Sequence, residues 1–240
     1  LSLEEKKEIL RSVVNYNRSR LPLVAGMGGN NTAALVKEIE DTNFDGYSAI
    51  LSVCPYYNRP NQEGIFQHFS AVAAASPLPV VLYNVPSRTV ASIANETTLR
   101  LIEAHKNIIG IKDASADLAL GAALIEAVPE HFLILSGDDA TALNLCEIGG
   151  HGVISVIAGA LPKQFSTLIH HGLKGEAVSA QVLQEQLRPI IDLLFEEGNP
   201  TGLKALLAHQ NRCINHLRLP LVKASTSLQN RIKVGYSKLV

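Results

Sequence analysis

Little in this 240-residue chain invites a disulfide, a bound metal or a nucleic acid. Its three cysteines, Cys54, Cys146 and Cys213, are odd in number and far apart, so reduced thiols in a cytoplasmic protein are expected. A net charge of −1 leaves no basic stripe for nucleic acid and no polybasic patch for a membrane surface. Glu, Lys, Asn or Gly interrupts every apolar stretch well short of bilayer length, and the opening Leu-Ser-Leu-Glu-Glu-Lys-Lys lacks the pattern of a signal peptide. The histidines are scattered, and His170-His171 reads as a solvated helix end rather than a ligand pair. Asp138-Asp139 has no partner at ligand spacing, which makes helix capping its expected task. In Gly26-Met27-Gly28-Gly29-Asn30-Asn31 an asparagine stands where a dinucleotide fingerprint needs its third glycine, so a tight turn into the next helix is expected there. The sequence calls for no metal and no cofactor.

What is present is alternation. Short β-branched runs cover residues 21–27, 47–54, 79–85, 107–113, 132–137 and 152–158, with helical periodicity between them at 32–41, 62–75, 95–103, 118–128 and 140–148. Such alternation implies parallel strands joined by crossover helices. The near-even spacing favours a TIM (β/α)8 barrel, whose units average about 31 residues; a doubly wound open sheet is the alternative. Beyond residue 158 the pattern turns purely helical, through 162–174, 177–196, 201–216 and 225–239. The expected division is therefore a partial barrel over residues 1–160, then the last barrel helix and a C-terminal helical extension over 161–240. Residues 2–18 read as a helix opened by a capping box, Ser2 with Glu5. Counted from there, the chain supplies six barrel strands, two short of eight, and it does not begin with Met; a lost start is the expectation.

Lys112 ends a run, Ile108-Ile109-Gly110-Ile111-Lys112-Asp113, that otherwise reads as a strand covered on both faces. Buried ammonium groups are rare, and desolvation favours the neutral amine, which attacks carbonyl carbons. The competing reading is a strand-end lysine that snorkels to solvent. Parallel barrels gather their chemistry at the carboxyl ends of strands. Those ends supply Tyr56, Tyr57, Tyr83, Arg88, Asp138 and Ser155 beside Lys112. An amine nucleophile, phenols to move protons and a guanidinium to hold a carboxylate make a set suited to Schiff-base chemistry. Taken singly, each tyrosine could be rim packing and Arg88 a surface charge; their joint placement favours chemistry.

Tyr83-Asn84-Val85-Pro86-Ser87-Arg88-Thr89 followed by Ile109-Gly110-Ile111-Lys112-Asp113-Ala114 resembles the double signature of the dihydrodipicolinate synthase and N-acetylneuraminate lyase superfamily. Pro55-Tyr56-Tyr57-Asn58-Arg59-Pro60, Leu135-Ser136-Gly137-Asp138-Asp139-Ala140 and Gly149-Gly150-His151-Gly152-Val153-Ile154-Ser155-Val156 extend the likeness over essentially the whole chain. The resemblance implies a cytoplasmic lyase that condenses pyruvate with aspartate 4-semialdehyde in lysine and diaminopimelate biosynthesis. It implies that Lys112 forms the pyruvate imine, that Tyr83 relays protons beside it, and that Tyr57 reaches a neighbouring subunit's site in a homodimer or homotetramer. Arg88 is implied as the clamp for the semialdehyde carboxylate, with Gly137 and Ile154 lining the pyruvate pocket. The alternatives are a sibling pyruvate-dependent aldolase acting on a sugar acid, and a non-catalytic remnant of the fold.

Two departures accompany the resemblance. The family's Thr-Thr-Gly-Glu motif, which holds the pyruvate carboxylate, does not occur in the chain, so the 240-residue polypeptide alone is expected to be impaired. At the family's lysine-feedback site Asn30 and Tyr56 match, but Ala34 replaces a glutamate, and Leu3 and Lys6 stand where histidines are usual. Weak or absent lysine inhibition is expected, because Lys6 would repel an incoming ammonium group.

Overall fold

The structure, a computed structural model, describes residues 1–239 and divides into two compact units, Leu1–Leu135 and Ser136–Val240. The first opens with α1 (Leu3–Asn17), whose capping box forms as the sequence predicts: Glu5 N–H donates to the Ser2 hydroxyl while the Glu5 carboxylate accepts from Ser2 N–H. Alternation follows through β1 (Val24–Gly26), α2 (Thr32–Glu40), β2 (Ala49–Val53), α3 (Gln62–Ala75), β3 (Val80–Asn84), α4 (Pro86–Thr89), α5 (Asn95–Ala104), β4 (Ile108–Asp113), α6 (Leu118–Ala127) and β5 (Leu133–Ser136). Side-chain oxygens of Asn31, Asn61 and Asp117 cap α2, α3 and α6, each taking the N–H three residues on. These caps end the extended segments where the helical periodicity begins.

Strands β1 to β4 pair in parallel, with Gly26 opposite Leu51, Val53 opposite Tyr83 and Tyr83 opposite Lys112. The strand order follows the chain from β1 through β5 to β6 (Gly152–Val153), and the boundary between the units falls inside β5. This is the parallel strand–helix architecture expected, with six strands among the described residues. The first unit buries Ile50, Phe69, Val72, Leu82, Leu101 and Ile134, each worth about 1.5–3 kcal/mol of transfer free energy. Gly110 lies so close to β5 that a β-carbon there would meet the Leu133 carbonyl oxygen at 2.7 Å.

The second unit continues with α7 (Ala142–Glu147), β6, and four further helices: α8 (Pro162–Leu173), α9 (Ala177–Glu196), α10 (Thr201–His209) and α11 (Thr226–Tyr236). Its own core joins Leu143, Phe165, Leu168, Leu187, Leu194 and Leu228. Strand–helix alternation gives way to helix alone after the short 3₁₀ turn Ile157–Gly159.

Two expected elements are corrected. The run 152–158 is a strand only at Gly152–Val153, because the Asp139 carboxylate accepts the Val156 and Ile157 N–H groups and draws the chain into the 3₁₀ turn. The helix expected over 201–216 stops at His209, where Asn211 takes φ +56 and Arg212 N–H returns to the Leu207 carbonyl.

Candidate active site

The site begins with the pairing of β3 and β4. Both strands are β-branched and covered, and their parallel register sets Tyr83 opposite Lys112 and Asn84 opposite Asp113. Side chains alternate along a strand, so Tyr83 and Lys112 share one face while Asn84 and Asp113 share the other. Lys112 is 9% exposed, and its Nζ stands 4.1 Å from the centroid of the Tyr83 ring. A lysine that snorkelled to solvent would not lie in this contact. Its stem is buried and its amine is laid on the phenol's π face.

Desolvation holds the Tyr83 hydroxyl above the ordinary phenol pKa, and the Arg88 guanidinium opposes that rise. Tyr83 therefore keeps its proton through the neutral range. Arg88 itself lies on α4, which Pro86 starts at its first position and Val90 closes in the left-handed region at φ +57. The short helix turns the chain away from β3 and leaves Arg88 exposed at the strand's end, within electrostatic reach of the phenol.

Tyr57 is differently placed. At φ +73 and 88% exposed, it projects from the surface instead of packing on the Lys112–Tyr83 pair. Its loop is held by exchange with the glycine-rich turn: Asn30 Nδ2 donates to the Tyr56 carbonyl at 3.1 Å, and Asn58 Nδ2 donates to the Asn30 carbonyl at 3.0 Å. Arg59 in the same loop also takes a left-handed backbone, at φ +47, so the loop holds backbone strain at two positions. Gly28 lies close to β2, since a β-carbon there would meet Val53 Cγ1 at 2.5 Å.

In the second unit, Gly137 follows β5 and is half-buried, as is Ile154, whose N–H donates to the Ser136 carbonyl at 2.9 Å. Neither Asp138 nor Asp139 is an N-cap, α7 being opened by Thr141 without a side-chain cap; each ties down a different segment. Asp138 takes the Thr141 N–H and hydroxyl, whereas buried Asp139 gathers the Val156 and Ile157 N–H groups. Desolvation raises the Asp139 pKa, and its hydrogen bonds from Ser155, Ile157 and Val156 pull it down. Among the described residues no group of three or more His, Cys, Asp and Glu side chains is placed to hold a metal.

Sequence reasoning missed the far face of the β3–β4 pair. There Asn84, 1% exposed, donates from Nδ2 to Asp113 Oδ1 at 2.8 Å and accepts the Ile93 N–H at 3.0 Å. The available signal was a polar residue directly after each chemical one, in Tyr83-Asn84 and Lys112-Asp113.

A parallel strand–helix chain with a buried lysine laid on a tyrosine at neighbouring strand ends is an enzyme of the lyase class, of the class I aldolase type. More narrowly, the chain belongs to the dihydrodipicolinate synthetase family, whose pattern matches residues 1–238. It is 47% identical over 239 residues to the 4-hydroxy-tetrahydrodipicolinate synthase of Flavobacterium psychrophilum, a match covering 100% of this chain and 82% of that one. Among solved structures, the 4-hydroxy-tetrahydrodipicolinate synthase of Methylacidiphilum fumariolicum is similar at TM-score 0.96 and 39% identity, over 99% of this chain and 79% of that one. The dihydrodipicolinate synthase of Acinetobacter baumannii complexed with pyruvate is similar at TM-score 0.95 and 35% identity, over 99% and 81% of the two chains.

Proposed function

We propose that the protein is a 4-hydroxy-tetrahydrodipicolinate synthase, joining pyruvate to aspartate 4-semialdehyde through an imine on Lys112, without a cofactor, in the cytoplasm. The observation that supports this reading most is the contact of the buried Lys112 amine with the Tyr83 ring. The pyruvate-bound relative in the same family supports the choice of ketoacid.

In the proposed sequence the neutral amine of Lys112 attacks the pyruvate carbonyl carbon, and Tyr83 donates a proton as water leaves. Loss of a methyl proton converts the imine to an enamine, whose carbon attacks the semialdehyde's aldehyde. The product nitrogen then displaces Lys112 as the ring closes, which frees the amine for another cycle. Arg88 is proposed to hold the semialdehyde's carboxylate, for which an exposed guanidinium at the strand end is suited. Gly137 and Ile154 are proposed to line the pyruvate pocket. Exposed Tyr57 fits a phenol that joins the relay of a second copy, so a homodimer is the proposed minimum unit and a homotetramer its extension.

Borohydride reduction in the presence of pyruvate tests the imine. The expected result is a single pyruvate-derived adduct that peptide mass mapping assigns to Lys112; an adduct on another lysine would reject the assignment.

A further inference from the structure

We propose that Asn84 is a positioning residue for this reaction, fixing Tyr83, Lys112 and the Arg88 helix relative to one another from the face opposite the chemistry. The inference rests on the Lys112 imine proposed above.

Three segments meet at the Asn84 side chain. Nδ2 donates to Asp113 Oδ1 at 2.8 Å, which ties β3 to β4 one residue beyond the Tyr83–Lys112 pair. Oδ1 accepts the Ile93 N–H at 3.0 Å and the Ser92 hydroxyl at 3.4 Å, which ties the same strand to the loop returning from α4 and hence from Arg88. The Asn84 carbonyl takes the Ala114 N–H at 2.8 Å, while the Ser115 hydroxyl donates to Asp113 Oδ2 at 2.6 Å. Gln62 steadies the loop from α3, donating to the Ser92 carbonyl and accepting the Ala94 N–H.

Opposite the Asp113 carboxylate, a primary amide suits this junction. It must donate toward a carboxylate on one side and accept a backbone N–H on the other. An aspartate at position 84 would face Asp113 as one carboxylate against another. A leucine would leave the Ile93 N–H and an Asp113 oxygen without partners in a buried place. Because Asn84 and Tyr83 are consecutive in one strand, any slackening of the Asn84–Asp113 tie changes the height of the phenol against the Lys112 amine. Proton transfer and amine attack both require that height within a fraction of an ångström.

The test is a swapped pair. Asn84→Asp should slow borohydride-trapped imine formation and lower kcat by about tenfold to a hundredfold. The double variant Asn84→Asp with Asp113→Asn restores a donor facing an acceptor, and should recover trapping to within about threefold of the parent protein. A merely structural role would lower the melting temperature of Asn84→Asp while leaving the trapping rate of the folded variant near that of the parent. If Asn84→Asp does not fold, the swapped pair decides alone: near-parental trapping is expected, and a folded swapped pair trapping more than about tenfold slower overturns the inference. Parental trapping in folded Asn84→Asp overturns it as well, while leaving the imine intact. Absence of a Lys112 adduct in the parent protein would instead remove the functional reading and this inference together.

Discussion

Replacing Tyr83 by Phe keeps the ring beneath Lys112 and removes only the hydroxyl. The ring contact at 4.1 Å is then preserved, so stability should change little. Loss of the proton donor should lower kcat by about 10²–10⁴-fold, measured in the coupled synthase assay beside a thermal melt. Lys112→Arg tests the nucleophile in the same spirit. A guanidinium retains the charge but cannot form the imine, so no adduct should be trapped even where the variant melts with the parent. A lysine at the end of a covered strand left snorkelling and chemistry both open in the sequence; the strand-end tyrosine weighed toward chemistry, and the structure places the two side chains in contact. Asn84 and Asp113 were not legible, since their task depends on strand register and on a loop that comes back from residues 90–94.

At the scale of elements, buried His68 links two helices: its Nδ1 meets the Thr32 hydroxyl at 2.8 Å, joining α3 to the first turn of α2. Burial pushes its pKa down from 6.5 to about 4. The unfolded chain therefore binds the proton first, and stability that is full above pH 6.5 is lost as pH falls toward about 4. The loss should amount to about 2–3 kcal/mol, read by urea melts at pH 7 and pH 4.5. A His68→Gln variant should show a correspondingly flatter pH dependence, and an unchanged slope would refute the assignment. Gly110 gives a second element-level prediction. Gly110→Ala drives a methyl against the Leu133 carbonyl, so it should destabilise the β4–β5 contact by about 1–3 kcal/mol in a denaturant melt. Periodicity and capping residues made most helices readable from sequence, including Gln62–Ala75 and Ala177–Glu196 at their full lengths. The failures at 152–158 and 201–216 share a cause: long-range or end-specific hydrogen bonds, through Asp139 and at Asn211, overrode the local pattern.

For the whole molecule, the family pattern spans residues 1–238, and the strands follow one another in chain order across the sheet. Weak or absent lysine feedback is the expectation that the resemblance carried for positions 3, 6 and 34. Ala34 offers no carboxylate to an incoming ammonium group, and the one beside it, Glu38, is taken by Lys6 at 2.8 Å. Sub-millimolar lysine should accordingly leave the synthase rate unchanged, and half-maximal inhibition in that range would contradict this reading. The most direct measurement for the account as a whole is mass mapping after borohydride reduction with pyruvate. A single adduct on Lys112, absent in Lys112→Arg, is the predicted result; a protein that gives no adduct, or one on another lysine, would contradict it.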